Sequence, residues 1–537
     1  MSKVALVSIN SNRWGDTEEV GIGYIAAVLE EHNHAVRLFS LSEESSREEL
    51  NAFRSALQSE HYSLVGFGCS HGSIPIQVYR DVISAAKNAN PEIHTTCGGY
   101  WATFNTNYVL DNIPELDSVV VGEGENTVLE LVKLIDSRKN PDSCTGLQTR
   151  TNEYQPRKSI SDLDSLPKPI RQFAKHRSAQ LVSISTSRGC LARCTFCNVP
   201  KWMRLHGGKQ WRGRTAENIL EELYLLYSQE GIRRFWVVDS SFEDPFPEGV
   251  ERMEQIADGI ISSGMNISYY VFFRAESLAS DLVNGLLPKL ARSGLRRAFV
   301  GVEASSDGEL KELGKKARID NVSAALHNLR VNNIVERVGF IMFTPFTSPE
   351  DLRRNLNFLQ QEDLLFSTID MFGRLELYTG AAIVKRVENA GLLTGNTAVD
   401  PFCYEYENER VGLAAERMTK VLHSGETNHL WEAVHTAQLI ANSANFNQCV
   451  ITDPVLSRAT ARFADDITEM RQFLTSENAR FLSSIIEMIE STWSDSEFEN
   501  LVATHIDGYH VEIARTCDVL AREYLLTLKN KGVEFVY

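Results

Sequence analysis

A chain of 537 residues is too long to fold around one hydrophobic core, so we expect two to four domains. The composition, 43% hydrophobic and 23% charged, is typical of a globular protein, and a net charge of −17 disfavours a large nucleic-acid-binding surface. The sequence has no apolar run near the roughly 18 residues of a membrane span and begins as a strand rather than a signal peptide, so we expect a cytoplasmic protein.

Residues 1–137 alternate short apolar runs with helical runs. Strands are predicted at Val4 to Ile9, Ala35 to Phe39, Leu64 to Phe67, Ile93 to Thr96 and Ser118 to Val121, with helices between most of them. Alternating βα units imply a parallel, doubly wound sheet. Such a sheet binds ligands beyond the carboxyl ends of its strands.

Glycines cluster where these predicted strands end, at Gly66, Gly68, Gly72, Gly98, Gly99, Gly122 and Gly124. Glycine lets the backbone approach a flat or bulky ligand, although glycines also end strands for steric reasons. The first turn lacks the G-x-G-x-x-G pattern of a dinucleotide site. The pattern therefore indicates a ligand site without identifying the ligand.

Residues 138–180 break this periodic pattern and are rich in Asp, Ser, Pro and Lys. We interpret them as an interdomain linker that lies across the surfaces of both neighbouring domains.

In residues 181–391 the βα alternation resumes. Strands are predicted at Leu181 to Ser185, Phe235 to Val238, Ser268 to Phe273, Ala298 to Val302, Val338 to Phe343 and Thr368 to Phe372. Six βα units predict a partial barrel that is open at one side. In such barrels the chemistry collects at the C-terminal ends of the strands.

Three cysteines, Cys190, Cys194 and Cys197, follow the first of these strands in a C-x-x-x-C-x-x-C run. The spacing places three thiolates on one tight loop, where they can bind three corners of a [4Fe–4S] cubane and leave the fourth iron open. A zinc site or buried thiols are the alternatives. Zinc sites usually show paired cysteines or nearby histidines, and His206 is the only histidine close by, so we favour the cluster.

A basic patch follows the cysteines, at Lys201, Arg204, Lys209, Arg212 and Arg214. It would suit an anionic substrate or be a solvated loop, and we favour the solvated loop.

Residues 392–537 change pattern again and read as amphipathic helices. They are predicted at Ala414 to His423, His429 to Ala441, Asp465 to Thr475, Glu477 to Thr492 and Gly508 to Leu528. We expect this helical region to cover the open side of the barrel.

The run from Ser187 to Cys197, with the aromatic Phe196 just before the last cysteine, resembles the signature of the radical S-adenosylmethionine (SAM) superfamily. The resemblance implies that SAM binds the open iron and that Phe196 lies near its adenine. It also implies an external one-electron reductant of the flavodoxin or ferredoxin type and a small-molecule substrate.

The same resemblance assigns roles to polar residues at the strand ends. Asp239, Ser240, Arg274, Glu303 and Ser305 are expected to contact SAM, and Arg374 and Tyr378 are expected to face the substrate as catalytic residues. For each residue the alternative is a polar group that caps an element or satisfies the core. Asp239 to Glu243 stand where family members often carry either a Gly-Gly-Glu-like run or an acidic-plus-Phe run, which contacts the amino group of the methionyl moiety.

Three stretches of the first domain resemble the cobalamin-binding domain that precedes many radical SAM domains. They are Gly21 to Ala27, Cys97 to Gly99 and Val121 to Glu125. The resemblance implies that cobalamin contacts Ser70, His71, Gly98, Gly99, Trp101, Gly122, Glu123 and Gly124. No D-x-H-x-x-G run supplies a cobalt-ligating histidine, so His71 and Trp101 are interpreted as wall residues.

A methylthiotransferase-type first domain is the alternative, and it would require three further cluster cysteines. Cys69, Cys97 and Cys144 are the only candidates. The first two stand at strand ends of a regular α/β pattern, which disfavours this interpretation.

Taken together, the resemblances imply an enzyme with a [4Fe–4S] cluster, SAM and cobalamin. Our first hypothesis is radical methylation of an unactivated carbon, less often phosphorus, in a small metabolite or natural-product precursor. Cyclisation, ring contraction or rearrangement without methyl transfer is the second. A non-catalytic iron–sulfur or zinc protein is a third, from another class.

Overall fold

The computed structural model describes residues 2–10, 19–171, 181–205, 207–366, 369–422 and 430–537. The parts of the predictions that concern His206, Thr368, His423 and His429 lie outside these residues. Within the described residues, no helix is both long and apolar enough to cross a membrane.

The N-terminal unit is an α/β sheet domain. Its elements are β1 (Lys3–Asn10), α1 (Val20–Glu31), β2 (Ala35–Ser42), α2 (Arg47–Gln58), β3 (Leu64–Gly68), α3 (Ile76–Ala89), β4 (His94–Gly98), α4 (Tyr100–Phe104), α5 (Thr106–Asn112), β5 (Ser118–Val120), α6 (Glu125–Asp136) and β6 (Leu147–Gln148). The strand order is β2-β1-β3-β4-β5-β6, parallel except for the antiparallel pair β5–β6.

Helices cover both faces of this sheet, as the doubly wound prediction required. On β1, Val4 and Leu6 pack into one hydrophobic layer with α1 and α6, while Ala5 and Val7 pack into a second layer with α2 and α3. Successive side chains of a strand point to opposite faces, so both faces of β1 are apolar.

The predicted linker is in contact with both neighbouring units. Its β6 extends the N-terminal sheet, so that sheet continues beyond residue 137. Further on, the Ile170 amide donates to the Gly23 carbonyl at 3.1 Å, and the Lys168 ammonium donates to the Asn218 carbonyl at 3.2 Å.

The second unit is a partial barrel. Its elements are β7 (Val182–Ile184), β8 (Ser187–Gly189), α7 (Val199–Leu205), β9 (Trp211–Gly213), α8 (Ala216–Gln229), β10 (Arg234–Val237), α9 (Gly249–Ser262), β11 (Ser268–Arg274), α10 (Ala275–Leu278), α11 (Asp281–Ser293), β12 (Leu295–Glu303), α12 (Asp307–Glu312), α13 (Ile319–Val331), β13 (Val335–Phe340), α14 (Pro349–Gln361), α15 (Ile369–Phe372), α16 (Val384–Asn389), β14 (Leu393–Thr394) and β15 (Cys403–Tyr404). The order β7-β10-β11-β12-β13 forms a parallel sheet, and β8 and β9 pair as a separate antiparallel hairpin.

The sixth predicted barrel strand is wrong in position. The described part of that segment, Ile369–Phe372, is the short helix α15, which packs on α17 (Glu409–Leu422) and places the Phe372 ring 6.3 Å from that of Phe481. The segment thus contacts the edge strand β13 as a helix and does not pair with it as a strand. The sixth position is occupied instead by a single parallel bridge between Phe343 and Arg374.

The C-terminal region is helical, as predicted. After α17 come α18 (Leu430–Ala444), α19 (Gln448–Thr452), α20 (Pro454–Glu490), α21 (Asp495–Thr504), a π-helical turn at His505–His510 and α22 (Val511–Asn530). The two helices predicted between Asp465 and Thr492 are one continuous helix, α20. The break was expected at Ser476 and Glu477, but neither is a proline or a glycine, the residues that interrupt a helix.

One hydrophobic core joins the barrel to this helical region. It runs from the sheet through α14 to buried residues of α17 and α20, among them Met418 and Phe481. The helical region is therefore part of the same packed body as the barrel.

Candidate functional site

The cysteine loop is held in place by backbone hydrogen bonds on both sides of Thr195. The Thr195 amide donates to the Leu313 carbonyl at 2.8 Å, and the Ile383 amide donates to the Thr195 carbonyl at 2.9 Å. A Cβ at Gly314, whose φ is +72°, would lie 2.6 Å from the Arg193 carbonyl oxygen. The loop therefore rests on backbone that follows α12 and precedes α16.

The three cysteine thiols fit an iron–sulfur cluster better than a zinc ion. Burial raises the pKa of Cys190 to about 12 and that of Cys194 to about 11, and it also raises the pKa of Cys197. All three are half-buried, and among the described residues no three His, Cys, Asp or Glu side chains converge on a site for one metal ion. Three thiols on one loop without a fourth ligand suit three separate corners of a cubane.

Asp239 binds backbone and hydroxyl donors at the turn that follows β7. Its carboxylate accepts hydrogen bonds from the backbone amides of Thr186 at 2.7 Å and Ser187 at 3.0 Å, and from the hydroxyls of both residues. The side chain is only 2% exposed. Asp239 therefore fixes the turn from β7 into β8, the strand that leads to Cys190; β8, β9 and the loop between them are called the cysteine hairpin. The contact of Asp239 with SAM remains a prediction.

Glu303 occupies the expected place at the end of β12. Its backbone has a φ of +69°, in a region that costs a residue with a side chain about 1–3 kcal/mol, and its carboxylate lies 3.5 Å from the Lys315 ammonium. Burial raises the pKa of Glu303, and the charge of Lys315 opposes that rise. A Cβ at Gly301 would lie 2.7 Å from this carboxylate, so the carboxylate occupies the barrel mouth above a glycine.

Two other predicted SAM contacts are engaged by protein groups. The Arg274 guanidinium pairs with Glu243 at 2.9 Å and with Asp244, and both carboxylates are fully buried. The Ser305 hydroxyl donates to the Asn355 side chain at 2.6 Å. Arg274 thus joins the end of β11 to the segment after β10, and Ser305 joins the segment after β12 to α14.

The predicted catalytic residues lie beside the sixth barrel position. The backbone of Arg374 forms the bridge with Phe343, and the Tyr378 hydroxyl donates to the Glu376 carboxylate. Phe196, expected near adenine, packs against a small apolar cluster that includes Leu375. Their contacts with substrate or SAM remain predictions.

A cavity of about 370 Å³ lies where the N-terminal sheet meets the cysteine hairpin. Seven predicted residues line it, namely Ser70, Gly98, Gly99, Gly122, Glu123, Gly124 and Ser240. On the barrel side the wall includes Arg188 and Gly189, which directly precede the first cysteine. The structure therefore brings the glycine-rich strand ends and the cysteine hairpin to one space.

Two predicted cofactor contacts of the first domain do not line this cavity. Trp101 is 2% exposed, its indole N–H donates to the Ala398 carbonyl at 2.8 Å, and its ring stacks on Tyr79 at 5.2 Å. The carbonyl of His71 accepts a hydrogen bond from the Tyr79 hydroxyl at 2.8 Å. Trp101 is thus a core residue, and neither side chain is part of the cavity wall.

The cavity suits a large ligand with a flat or apolar surface. A Cβ at Gly99, where φ is +113°, would lie 2.6 Å from the Ser70 hydroxyl. At Gly124 it would lie 2.8 Å from Ile25, and at Gly68 it would lie 2.4 Å from the Glu19 carboxylate. At these positions a side chain would collide with neighbouring protein groups, so glycine allows the strand ends and turns to pack closely around the cavity.

Ion pairs lock the two units together beside the cavity. Glu123 pairs with Arg212 at 2.7 Å and with Arg188 at 3.3 Å, and Arg188 also pairs with Glu125 at 2.5 Å. Burial acts to raise the pKa of Glu123, but the hydrogen bond from Arg212 and the charge of Arg188 lower it overall. Glu123 therefore joins the domains as well as lining the cavity.

The predicted basic patch is divided in the structure. Arg212 is buried in the contact with Glu123, and Arg214 is buried against Glu222 at 2.5 Å. Lys201, Arg204 and Lys209 are exposed. The solvated interpretation therefore holds for these three residues, although Lys201 and Arg204 lie on α7 and not on a loop.

Comparison with known families matches both α/β units. The B12 binding domain family matches residues 7–132, and the Radical SAM superfamily matches residues 184–359. The chain belongs to the cobalamin-dependent radical SAM enzymes. The two domains confirm the predicted cofactors, because a B12-binding domain accounts for cobalamin and a radical SAM domain for the cluster and SAM.

Curated relatives of this radical SAM enzyme are distant. An uncharacterized methyltransferase of Pyrococcus horikoshii is 25% identical over 71% of this chain and 82% of its own length. The 4′-phospho-dehydrooxetanocin synthase of Priestia megaterium is 25% identical over 57% of this chain and 44% of its own. The hopanoid C-3 methylase of Methylococcus capsulatus is 28% identical over 60% of this chain and 61% of its own length. The chain thus spans about half the length of the latter two.

Solved structures share the fold of this radical SAM enzyme. The cobalamin-dependent SAM radical enzyme OxsB, with aqua-cobalamin and SAM bound, superposes with a TM-score of 0.72 and 17% identity over the whole of this chain and 82% of OxsB. The radical SAM methyltransferase TsrM from Kitasatospora setae superposes with a TM-score of 0.62 and 16% identity over 80% of this chain and 90% of TsrM. At these identities the likeness establishes the fold.

Sequence reasoning missed several cavity residues of this radical SAM enzyme. Glu19, Tyr24, Tyr100 and Trp202 all line the cavity, and the rings of Tyr100 and Trp202 lie 4.2 Å apart. Tyr24 lies within a stretch that carried the cobalamin resemblance, so it offered a signal. The Tyr100–Trp202 contact joins α4 to α7 across a long stretch of chain, and no local pattern predicts it.

Proposed function

We propose that this radical SAM enzyme uses cobalamin to methylate an unactivated carbon of a small metabolite or natural-product precursor. The supporting observation is the shared cavity, whose wall runs from the glycines at the ends of β3, β4 and β5 to the residue before Cys190. Methyl transfer to a substrate radical requires both cofactors to face one space. Relatives named as methyltransferase and methylase agree with this reaction class.

The residues fall into three sets by the group that each would hold. Cys190, Cys194 and Cys197 would bind the cluster, Glu303 at the barrel mouth would bind SAM, and Ser70 with the lining glycines would contact cobalamin. When bound, these groups supply the electron, the hydrogen-abstracting radical and the methyl group.

The chain itself positions these groups and limits the access of water. Asp239 orients the cysteine hairpin, and the Glu123–Arg212 pair fixes the N-terminal sheet against it. The Tyr100 and Trp202 rings form an apolar wall between the sheet and the helix that follows the cysteines. Excluding water from such a site protects reactive species from side reactions.

We also propose that an external carrier of the flavodoxin or ferredoxin type delivers the electron. The cysteine loop is half-buried rather than enclosed, and Arg193, between two of its cysteines, is exposed. Most such carriers are acidic, so a cation on this loop favours their approach.

Anaerobic reconstitution with iron, sulfide and hydroxocobalamin tests the proposal. The protein is incubated with a reductant, SAM that carries a deuterated methyl group, and a metabolite extract of its source. Methyl transfer predicts a product with the deuterated methyl group, and formation of both 5′-deoxyadenosine and S-adenosylhomocysteine. Formation of 5′-deoxyadenosine without S-adenosylhomocysteine would contradict it.

A rearrangement or cyclisation without methyl transfer is the second candidate. It is favoured by the relative named 4′-phospho-dehydrooxetanocin synthase. In the same assay it predicts a product that lacks the deuterated methyl group.

A further inference from the structure

The lumen of the barrel has a face that the proposed cofactor sites do not use. On β11 and β12, side chains that point to the outer helices are fully buried, as at Val271 and Val300. The alternate residues, Tyr270, Phe272 and Phe299, are half-buried. Because alternate residues of a strand share a face, these three line the lumen.

Aromatic rings form a continuous wall there. The ring of Trp236 on β10 lies 6.2 Å from that of Tyr270, which lies 5.5 Å from Phe272, which in turn lies 4.9 Å from Phe299. The strand register places Trp236 opposite Tyr270, and Phe272 opposite Phe299. The wall thus has two layers below the strand ends, and it suits an apolar or aromatic ligand segment.

An ion cluster lies beside this wall, because the strand register places Arg297 opposite Tyr270 and Arg337 opposite Phe299. Glu432, from α18, pairs with Arg297 at 2.8 Å and with Arg337 at 2.6 Å. The three side chains are 38%, 17% and 30% exposed, so a ligand can reach them. Burial acts to raise the pKa of Glu432, but the two guanidinium charges lower it to about 2. The cluster therefore carries one net positive charge.

Two hydrogen-bond donors beside this cluster are unused. Within the described part of the chain, neither the indole N–H of Trp236 nor the Nε–H of Arg297 has an acceptor. Both residues lie next to Tyr270, and the Arg297 guanidinium sits 5.4 Å from the centre of its ring. Buried N–H groups normally have a partner, so acceptor oxygens are the missing component.

We propose that the barrel lumen binds an anionic group of the substrate, carried on an apolar or aromatic segment. The aromatic wall holds the segment, and Arg297, Arg337 and the Trp236 N–H hold the anion. Arg297 lies six positions before Glu303 on β12, so the layer of Arg297 is about 20 Å below the cofactor end. The identification of this ligand as the substrate rests on the proposed function. The prediction that the lumen binds such an anion does not.

Calorimetry on the reconstituted holoenzyme, with cluster, cobalamin and SAM filling their sites, tests this site. The probes are 4-phenylbutyrate, 4-phenylbutyl phosphate and the neutral alcohol 4-phenyl-1-butanol, so the two anions also compare a carboxylate with a phosphate. At least one anion should bind about tenfold more tightly than the alcohol. No turnover is required, so the result is independent of whether the enzyme methylates.

The variants separate a binding site from a structural ion pair. Arg297→Met and Arg337→Met should remove the preference for the anion, whereas Glu432→Gln, which removes the competing carboxylate, should tighten anion binding about tenfold. Arg318→Met is the matched control, because Arg318, at the start of α13, is 74% exposed and pairs with Asp307. It should change nothing.

Equal affinity of the anions and the alcohol for the wild-type protein would overturn the proposal. Unchanged or weaker anion binding in Glu432→Gln would do so as well, and this variant retains the volume of the side chain in case an arginine variant fails to fold. Thermal unfolding and iron content confirm that each variant is folded and loaded.

Discussion

Replacing Asp239 with alanine should detach the cysteine hairpin from β10. The carboxylate accepts from two backbone amides and two hydroxyls in a buried position. A buried N–H left without an acceptor costs about 1–3 kcal/mol, whereas the hydroxyls can rotate toward other groups. Loss of the acceptor for the two amides should therefore lower the free energy of unfolding by about 4 kcal/mol, which corresponds to a fall of roughly 10 °C in the unfolding temperature of the barrel.

Asp239→Asn is the informative partner of that variant. Its amide oxygen can still accept from both backbone amides, so the expected cost is about 1 kcal/mol. Iron content after anaerobic reconstitution, thermal unfolding and the Kd for SAM are measured for both variants. Alanine should lower iron content and unfolding temperature, asparagine should largely preserve both, and cobalamin uptake should be unaffected in either.

The opposite pattern would refute this reasoning. If Asp239 contacts the ammonium of SAM, loss of its charge matters more than loss of its hydrogen bonds. Both variants would then weaken SAM binding alike while iron content and unfolding temperature stay at the wild-type values.

Further predictions concern the barrel mouth, the domain contact and the cluster. Gly301→Ala should weaken SAM binding, because its Cβ would lie 2.6 Å from the Lys315 ammonium. Gly285→Ala is the control in α11, where open space surrounds the glycine, and it should stabilise the protein by about 0.5–1 kcal/mol. Equilibrium binding of SAM and thermal unfolding are measured for both variants. Glu123→Gln should lower cobalamin affinity at neutral pH. Since the pKa of Glu123 is lowered from 4.5, its ion pairs stabilise the domain contact above that pH and are lost as the pH falls through the lowered value, so acid should release cobalamin from the wild type more steeply than from this variant. Cys194→Ala should abolish iron retention and Cys403→Ser, at an exposed thiol, should not; equal iron loss in both would count against the cluster assignment.

The sequence was sufficient for features that depend on local pattern. Alternating apolar runs predicted both α/β units, and the spacing from Cys190 to Cys197 predicted the cluster loop. Glycines at strand ends, such as Gly99, predicted the cavity edge. Each of these signals lies within a few residues of the chain and follows from strand period, turn geometry or ligand spacing.

Features that depend on long-range contacts were not predictable. Asp239 stands at a strand end, but the sequence does not show that Thr186 and Ser187 supply its donors. Trp101 follows a glycine pair on the ligand side of the sheet, yet its indole turns into the core to reach Ala398. The segment predicted as the sixth strand forms α15 in its described part, because its packing on helices distant in sequence determines its conformation.

The common core of the barrel and the C-terminal helices has a consequence for synthesis on the ribosome. Leu356 and Phe358 of α14 are buried together with Phe481 and Ile485 of α20, which emerge much later from the exit tunnel. Until then the nascent barrel exposes this apolar surface to water and to chaperones. The N-terminal sheet, with its own cores, is free to fold first, whereas the barrel completes its core only after α20 has been made.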